Sequence, residues 1–142
     1  MSLFKVMDIA GSALSAQSIR LNTVASNLAN ADSISSSSGA AYKARRPVFA
    51  TMLKDATNSL SQSGAAAGVG VAGIVESAAP AIREYNPNHP MADDEGYIFR
   101  PNINVVEEMA DMMSASKSYQ TSVQVAETAK SLLAQTLRIG KQ

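Results

Sequence analysis

Along residues 102–140 the apolar positions advance by alternating steps of four and three. Val105, Met109, Met112, Ser116, Tyr119, Val123, Ala126, Lys130, Leu133 and Leu137 fall on one stripe. This is the heptad spacing of a helix that lies along other helices. Only Ser116 and Lys130 interrupt the apolar seam, and no Pro or Gly occurs before Gly140. At a rise of about 1.5 Å per residue, such a helix runs roughly 50 Å, more than a chain of 142 residues can enclose. In its last third a second row appears, Val125, Ala129, Leu132, Thr136 and Ile139, about 100° round from the first. A helix with two apolar faces needs two packing partners. The chain's other helix supplies one, and another subunit is the natural source of the second. The start of the helix is marked by Asn102 or Asn104 as cap, with Glu107 and Glu108 in the first turn. Asn104 and Glu107 have the spacing of a capping box, and Arg138 with Gly140 signals the end.

Residues 2–30 carry the same pattern. Phe4, Met7, Gly11, Leu14, Ser18, Leu21, Ala25 and Leu28 step by three and four without a break. One row is large (Met7, Leu14, Leu21, Leu28) and the other small (Gly11, Ser18, Ala25). Small residues let backbones approach while the large row interdigitates with a neighbour. Asn27 and Asn30 fit a fraying C-terminus, since Asn tolerates the left-handed cap.

Between the helices the period is lost. Residues 31–41 are Ser-rich and offer little apolar surface, which predicts a mobile loop. Residues 42–53 suit a strand around Val48, Phe49, Thr51 and Met52, with Pro47 at its start. Lys43, Arg45 and Arg46 form a basic cluster there, either solvated or facing an acidic neighbour. Residues 54–68 read as loop, and 69–77 and 81–85 as short strands. Residues 86–94 form a turn with two prolines, and 96–101 a last extended piece. A strand unit of this size is not stable alone and must rest on the helices or on a neighbouring molecule.

The predicted fold is therefore mainly α. Long N- and C-terminal helices pair as a coiled-coil-like hairpin, with a small irregular β-containing middle region. Residues 1–30 and 101–142 make one discontinuous helical domain, and 31–100 hold the Ser/Gly-rich loop and short strands. The residues expected to carry subunit packing are Met7, Leu14, Leu21, Leu28, Val105, Met109, Met112, Tyr119, Val123, Leu133 and Leu137.

Composition sharpens this picture. Lys and Arg number twelve, as do Asp and Glu, so net charge gives no argument for nucleic acid or an anionic membrane. Trp is absent, Phe numbers three and Tyr four, leaving few bulky residues to fill a core. Much of the hydrophobic content is Ala and Met, which suit close helix contact and adaptable surfaces. Without Cys there is no disulfide, thiolate chemistry or Cys-ligated metal. The longest apolar run, 65–75, is short and broken by Gly, so no segment spans a bilayer. The N-terminus lacks the basic-then-apolar layout of a cleaved signal peptide. Catalytic arrangements are not evident: there is no Ser/His/Asp set and no glycine loop between strand and helix. His89, the one histidine, lies near Asp93, Asp94 and Glu95. A metal site needs convergent ligands, and one His beside loop carboxylates falls short of that. No cofactor and no metal is expected.

Several segments also carry a resemblance. Asn27-Leu28-Ala29-Asn30-Ala31 resembles the signature that closes the N-terminal helix of bacterial flagellar axial proteins, the rod, hook and hook-associated family. Asn104-Val105-Val106-Glu107-Glu108-Met109, Ser118-Tyr119-Gln120, Thr128-Ala129-Lys130 and Thr136-Leu137-Arg138-Ile139-Gly140 are similar to that family's C-terminal helix. In the middle, Val71-Ala72-Gly73-Ile74-Val75-Glu76 and Tyr85-Asn86-Pro87-Asn88-His89-Pro90, with Gly96-Tyr97 and Pro101-Asn102, resemble the proximal-rod members. Much of the family reaches Gly-Tyr almost at once after the signature; here residues 32–41 intervene and Ala41 precedes Tyr42.

The resemblance implies a structural subunit of the flagellar basal-body rod rather than an enzyme. Family members leave the cytoplasm through the flagellar type III export apparatus without cleavage. They polymerise in the periplasm into a helical tube, with terminal helices inside and the middle region outside. The implied partners are further copies of the chain, other rod proteins, the export apparatus and the inner-membrane ring or its adaptor. Nucleic acid and direct membrane insertion are not among them. The tube transmits torque and gives later subunits a passage outward. On this reading the terminal helices of a free monomer are partly disordered, and Val123→Asp blocks assembly while the monomer stays soluble. The competing readings are another rod or hook subunit, a cytoplasmic coiled-coil adaptor, and a metal-assisted enzyme around His89.

Overall fold

The computed structural model describes residues 3–53 and 67–139. Its elements run α1 (Leu3–Ala29), β1 (Arg45–Leu53), β2 (Ala67–Glu76), β3 (Ile82–Tyr85), β4 (Tyr97–Arg100) and α2 (Val105–Ile139). Two long helices thus flank a small strand region, as the periodicity implied. Strand β2 begins at Ala67, so it takes in the last two positions of the stretch read as loop. The rest of that stretch, and Gly140, lie outside the described residues. The strands form two separate two-stranded sheets, β1 with β2 and β3 with β4. No described helix is long and apolar enough to cross a membrane.

Two compact units make up the chain. The first comprises the described residues of Met1–Ile19, Val48–Gly73 and Ser114–Gln142; the second comprises Arg20–Pro47 and Ile74–Met113. Each draws on both helices and on strands, because α1 and α2 are long enough to serve two bodies.

In the first unit the buried residues are Ala10, Ala16, Ala115 and Ala129. Such small side chains let elements approach closely but bury little area each. Ser12 ties α1 to β2: its hydroxyl donates to the Ile9 carbonyl at 2.8 Å and accepts from the Val69 amide at 3.2 Å.

The second unit is held largely by polar contacts. Strand β3 pairs antiparallel with β4, Ile82 opposite Arg100 and Tyr85 opposite Tyr97. The turn between them is closed by Asp93, whose carboxylate accepts from the Glu95 amide at 3.0 Å and the Tyr97 amide at 2.8 Å. Gly96 follows with φ +80°, a left-handed conformation that L side chains avoid. Tyr85 and Tyr97 meet edge to face at 5.1 Å, and the Arg83 guanidinium lies 3.6 Å from the Tyr97 ring centre while pairing with Glu95 at 2.6 Å. His89 belongs to this turn. Its Nδ1 accepts from the Met91 amide at 3.1 Å. Among the described residues no three of His, Cys, Asp and Glu gather into a metal set.

The Ser-rich segment takes a defined path where a mobile loop was expected. Ser35 and Phe99 exchange both backbone hydrogen bonds, at 2.9 and 3.0 Å, and Asp32 pairs with Arg100 at 2.7 Å. Ser35 itself is buried, as are Ala31 and Ala41 at the two ends. Composition misled because the segment is anchored through its backbone, which any side-chain inventory ignores.

Helix α2 starts as its sequence promised. The Asn104 side chain accepts from the Val106 and Glu107 amides at 3.1 and 3.4 Å, and its carbonyl accepts from the Glu108 amide at 3.0 Å. Glu107, the acid of the capping-box spacing, directs its carboxylate to Arg46 at 2.8 Å.

Gly96→Ala forces a Cβ into the left-handed region, 3.0 Å from the Tyr85 ring and 3.1 Å from Pro87. The substitution is expected to destabilise the protein by about 1–2 kcal/mol. Thermal denaturation followed by circular dichroism should show a lowered midpoint; an unchanged midpoint would mean the turn does not hold the second unit together.

Candidate assembly interface

Which face of each helix is buried follows from side-chain size. On α1 the buried residues are Ala10, Ala16, Thr23, Val24 and Asn27; on α2 they are Glu108, Ala115 and Ala129. Ala10, Val24, Asn27, Glu108, Ala115 and Ala129 each sit one residue before a position of the stripe read from the sequence. One residue is about 100° of rotation. The stripe of large residues is therefore not the buried row. Alanines occupy four of these eight buried positions, where backbones come close.

None of the eleven residues expected to carry subunit packing is fully buried. Met7, Val105, Met109, Tyr119 and Leu137 are exposed, and Leu14, Leu21, Leu28, Met112, Val123 and Leu133 are half-buried. In the second row Val125 and Leu132 are exposed while Ala129 is buried. Further large apolar side chains lie open on the helices, Phe4, Val106 and Met113, and on the strands, Val48, Phe49, Met52, Ile74, Val75 and Ile82 among them. The described residues expose nineteen large hydrophobic side chains, whereas the buried hydrophobic set holds seven Ala, one Val and one Ile. Exposure on that scale marks an interaction surface.

The second unit is organised round Asn27, 1% exposed and the bulkiest fully buried side chain among the described residues. Its amide nitrogen donates to the Arg45 carbonyl at 2.8 Å and to the Glu108 carboxylate at 3.0 Å. Its amide oxygen accepts from the Arg45 N–H at 2.9 Å and from the Tyr42 hydroxyl at 3.1 Å. With the Tyr42 proton committed to Asn27, Ser26 is the donor in the 3.2 Å contact between the two hydroxyls. One amide thus satisfies two donors and two acceptors and joins the end of α1, the start of β1 and the first turn of α2. No periodicity marks this residue, and the frayed left-handed cap read from Asn27 and Asn30 is not present. Neither has positive φ. Asn30 donates from its side chain to the Ser26 carbonyl at 2.8 Å, which closes the last turn.

Ion pairs surround this centre. Arg20 meets Asp111 at 2.7 Å, Arg45 meets Glu76 at 3.3 Å and Arg46 meets Glu107. The two arginines of the basic cluster therefore face acidic neighbours. The hydrogen bond that Arg46 donates to Glu107 holds its guanidinium above its ordinary pKa, against a smaller opposing effect of burial and helped by the fields of Glu107, Glu108 and Asp111. Next to this region a cavity of about 340 Å³ is lined by small residues, including Gly39, Ala41, Ala44, Ala78 and Pro80, with Tyr42, Lys43 and Asn102.

Residues 7–33 match the family described as flagella basal body rod protein, and 94–139 match the flagellar basal body rod FlgEFG protein C-terminal family. The flagellar basal-body rod protein FlgC of Escherichia coli is 47% identical over 141 residues, covering 99% of this chain and 100% of that protein. The chain belongs to the FlgC family. The Salmonella typhimurium member is 48% identical over the same span, and the Borreliella burgdorferi member 32% identical over 149 residues, covering 98% of both chains. Asn27 lies in the first matched segment and Glu108 in the second, so the buried amide joins the two matched segments.

Asn27→Ala leaves the Glu108 carboxylate and both Arg45 backbone groups without this partner. A loss of about 3 kcal/mol is expected. Asn27→Asp should cost at least as much, since it removes both donors and sets a carboxylate against Glu108. Urea denaturation of the three proteins checks this; an Asp variant as stable as the parent would show that the amide donors contribute nothing.

Proposed function

We propose that this FlgC-family chain is a structural, non-catalytic subunit of the proximal rod, polymerising through its terminal helices into the tubular drive shaft. The supporting observation is the distribution of side chains: alanines and one amide are among the deepest residues, while large apolar side chains of the helices, Phe4 and Met7 on α1 and Val106, Met113 and Leu137 on α2 among them, lie open. In the assembled rod, the exposed rows of α1 and α2 pack coiled-coil fashion against neighbouring copies and other rod proteins, and the two helices act as one discontinuous helical domain. Identical contacts that do not close into a ring build a helical filament. The chain reaches the periplasm through the flagellar export apparatus without cleavage and docks near the inner-membrane ring. The packing residues are Met7, Leu14, Leu21, Leu28, Val105, Met109, Met112, Tyr119, Val123, Leu133 and Leu137.

Val123 is half-buried, so a charge there disturbs the free protomer as well as its contacts. Leu137, 69% exposed, separates the two effects. Leu137→Asp should leave the circular dichroism spectrum and solubility unchanged and abolish incorporation into purified basal bodies, because an unpaired charge buried between subunits costs several kcal/mol. Normal rods and motility in a strain carrying the variant would refute the assembly role of this face.

Hydrogen exchange on the dilute protein tests the ordering of the termini. Amides around Asn27, Tyr42 and Arg45 should exchange slowly, and those of residues 3–9 and 132–137 quickly, with the latter becoming protected on assembly. Uniform protection in the monomer would contradict folding on assembly.

A further inference from the structure

The chain contains seven Met and no Cys. Thioethers are therefore its readily oxidised sulfur groups, with no thiol to intercept an oxidant. Two of them are placed together. Met109 is 52% exposed and Met113 69% exposed on the first turns of α2, with Val106 beside them at 75%. Positions 106, 109 and 113 lie within about 60° of one another round a helix. They form one apolar stripe, turned away from the face that carries buried Glu108. Met112, the next residue to one side, is half-buried and provides an internal comparison.

We propose that Met109 and Met113 form an oxidation-sensitive modification site whose conversion to sulfoxide by a two-electron oxidant of the hypochlorous acid class blocks assembly of the protomer. In the reaction each thioether sulfur gives two electrons to the chlorine of hypochlorous acid. Chloride leaves, water supplies the oxygen through the chlorosulfonium ion, and one sulfoxide, one chloride and one net proton result per oxidant consumed. The apolar, flexible side chain becomes a polar one with a strong S–O dipole. Two such dipoles on one stripe replace the adaptable apolar contact that methionine provides to a partner surface. The neighbouring fold is not the target, since both side chains lie away from the covered face of α2 and Asn27 holds the first turn of α2 through Glu108. The sulfoxide is reducible, so the block is reversible by enzymes that reduce each sulfoxide epimer.

This inference rests on the assembly reading above, and its test separates the two. The purified full chain is treated with graded hypochlorous acid, and the modified residues are mapped by mass spectrometry. Self-association is measured by sedimentation velocity before oxidation, after oxidation, and after treatment with methionine sulfoxide reductases A and B. Met109 and Met113 should oxidise ahead of Met112. Association should weaken roughly a hundredfold, the effect of no longer burying two Met side chains, and should return on reduction. The double variant Met109→Leu/Met113→Leu should lose the oxidant's effect: at the dose that oxidises Met109 and Met113 in the parent, the association it shows before treatment should be the same after it. If that variant misfolds, the reductase arm on the unaltered chain still decides the matter. Association unaffected by oxidation of both residues overturns the inference alone, as does a Leu variant that loses association on oxidation as the parent does. An unoxidised chain that sediments only as a monomer also overturns this inference, whereas the assembly reading falls only if Leu137→Asp is incorporated into normal rods.

Discussion

A single buried amide sets the geometry of the second unit. Asn27 must offer two N–H donors and two acceptor lone pairs in one plane, to a carboxylate, a backbone carbonyl, a backbone amide and a phenol. Asp has the shape without the donors, and Gln has the groups one carbon further out. Meeting all four partners fixes the rotation of α1 at its end, the path of the chain into β1 and the rotation of α2 at its start. That last constraint reaches outward. With Glu108 turned inward, positions 106, 109 and 113 lie roughly 100–160° away on the far side of α2. The exposure of Val106, Met109 and Met113 is thus a consequence of where the amide sits.

The buried apolar set could not impose this order by itself. It is mostly alanine, and each alanine removes little apolar area from water. Alanine packing also tolerates sliding, since small side chains interdigitate weakly. A satisfied polar network has the opposite property: it permits one register, because any shift leaves a buried donor or acceptor unmatched. Ser12 plays a smaller version of this part in the first unit, where its hydroxyl links α1 to β2.

Much of this was legible from the chain and some was not. Both helices follow from their three-four periodicity, and the Asn104 cap from the run of acids behind it. The strands emerged from β-branched residues between turn signals. The row buried within the chain lies one residue from the apolar stripe, because hydrophobic periodicity weights size whereas close helix contacts favour small side chains. The path of 31–41 was missed because the Ser35–Phe99 bridge is a backbone pairing across a long sequence separation. The centre at Asn27 was invisible for a similar reason: its partners at 42, 45 and 108 become neighbours only once the chain is folded. A resemblance at 27–31 drew attention to the segment without saying what the asparagine does.

On the proposed reading, the two rows on each helix divide the work between folding and association. A protein that closed its core with Leu14, Leu21, Met109 and Val123 would gain stability and lose the surface it has to offer. With a polar centre supplying specificity, Leu14, Leu21 and Val123 are half-buried, and Met109, Val106, Met113 and Leu137 are exposed. Single polar residues at packing positions are known to set register at a cost in stability. Here the same trade leaves a protomer whose shape is specified by hydrogen bonds and whose largest hydrophobic reserve lies outside. Glu107, Lys117, Glu127, Lys130 and Arg138 are exposed along α2 beside those open side chains. On the proposed reading, a neighbour would match both the apolar stripe and the charges beside it, which would make the surface selective as well as sticky.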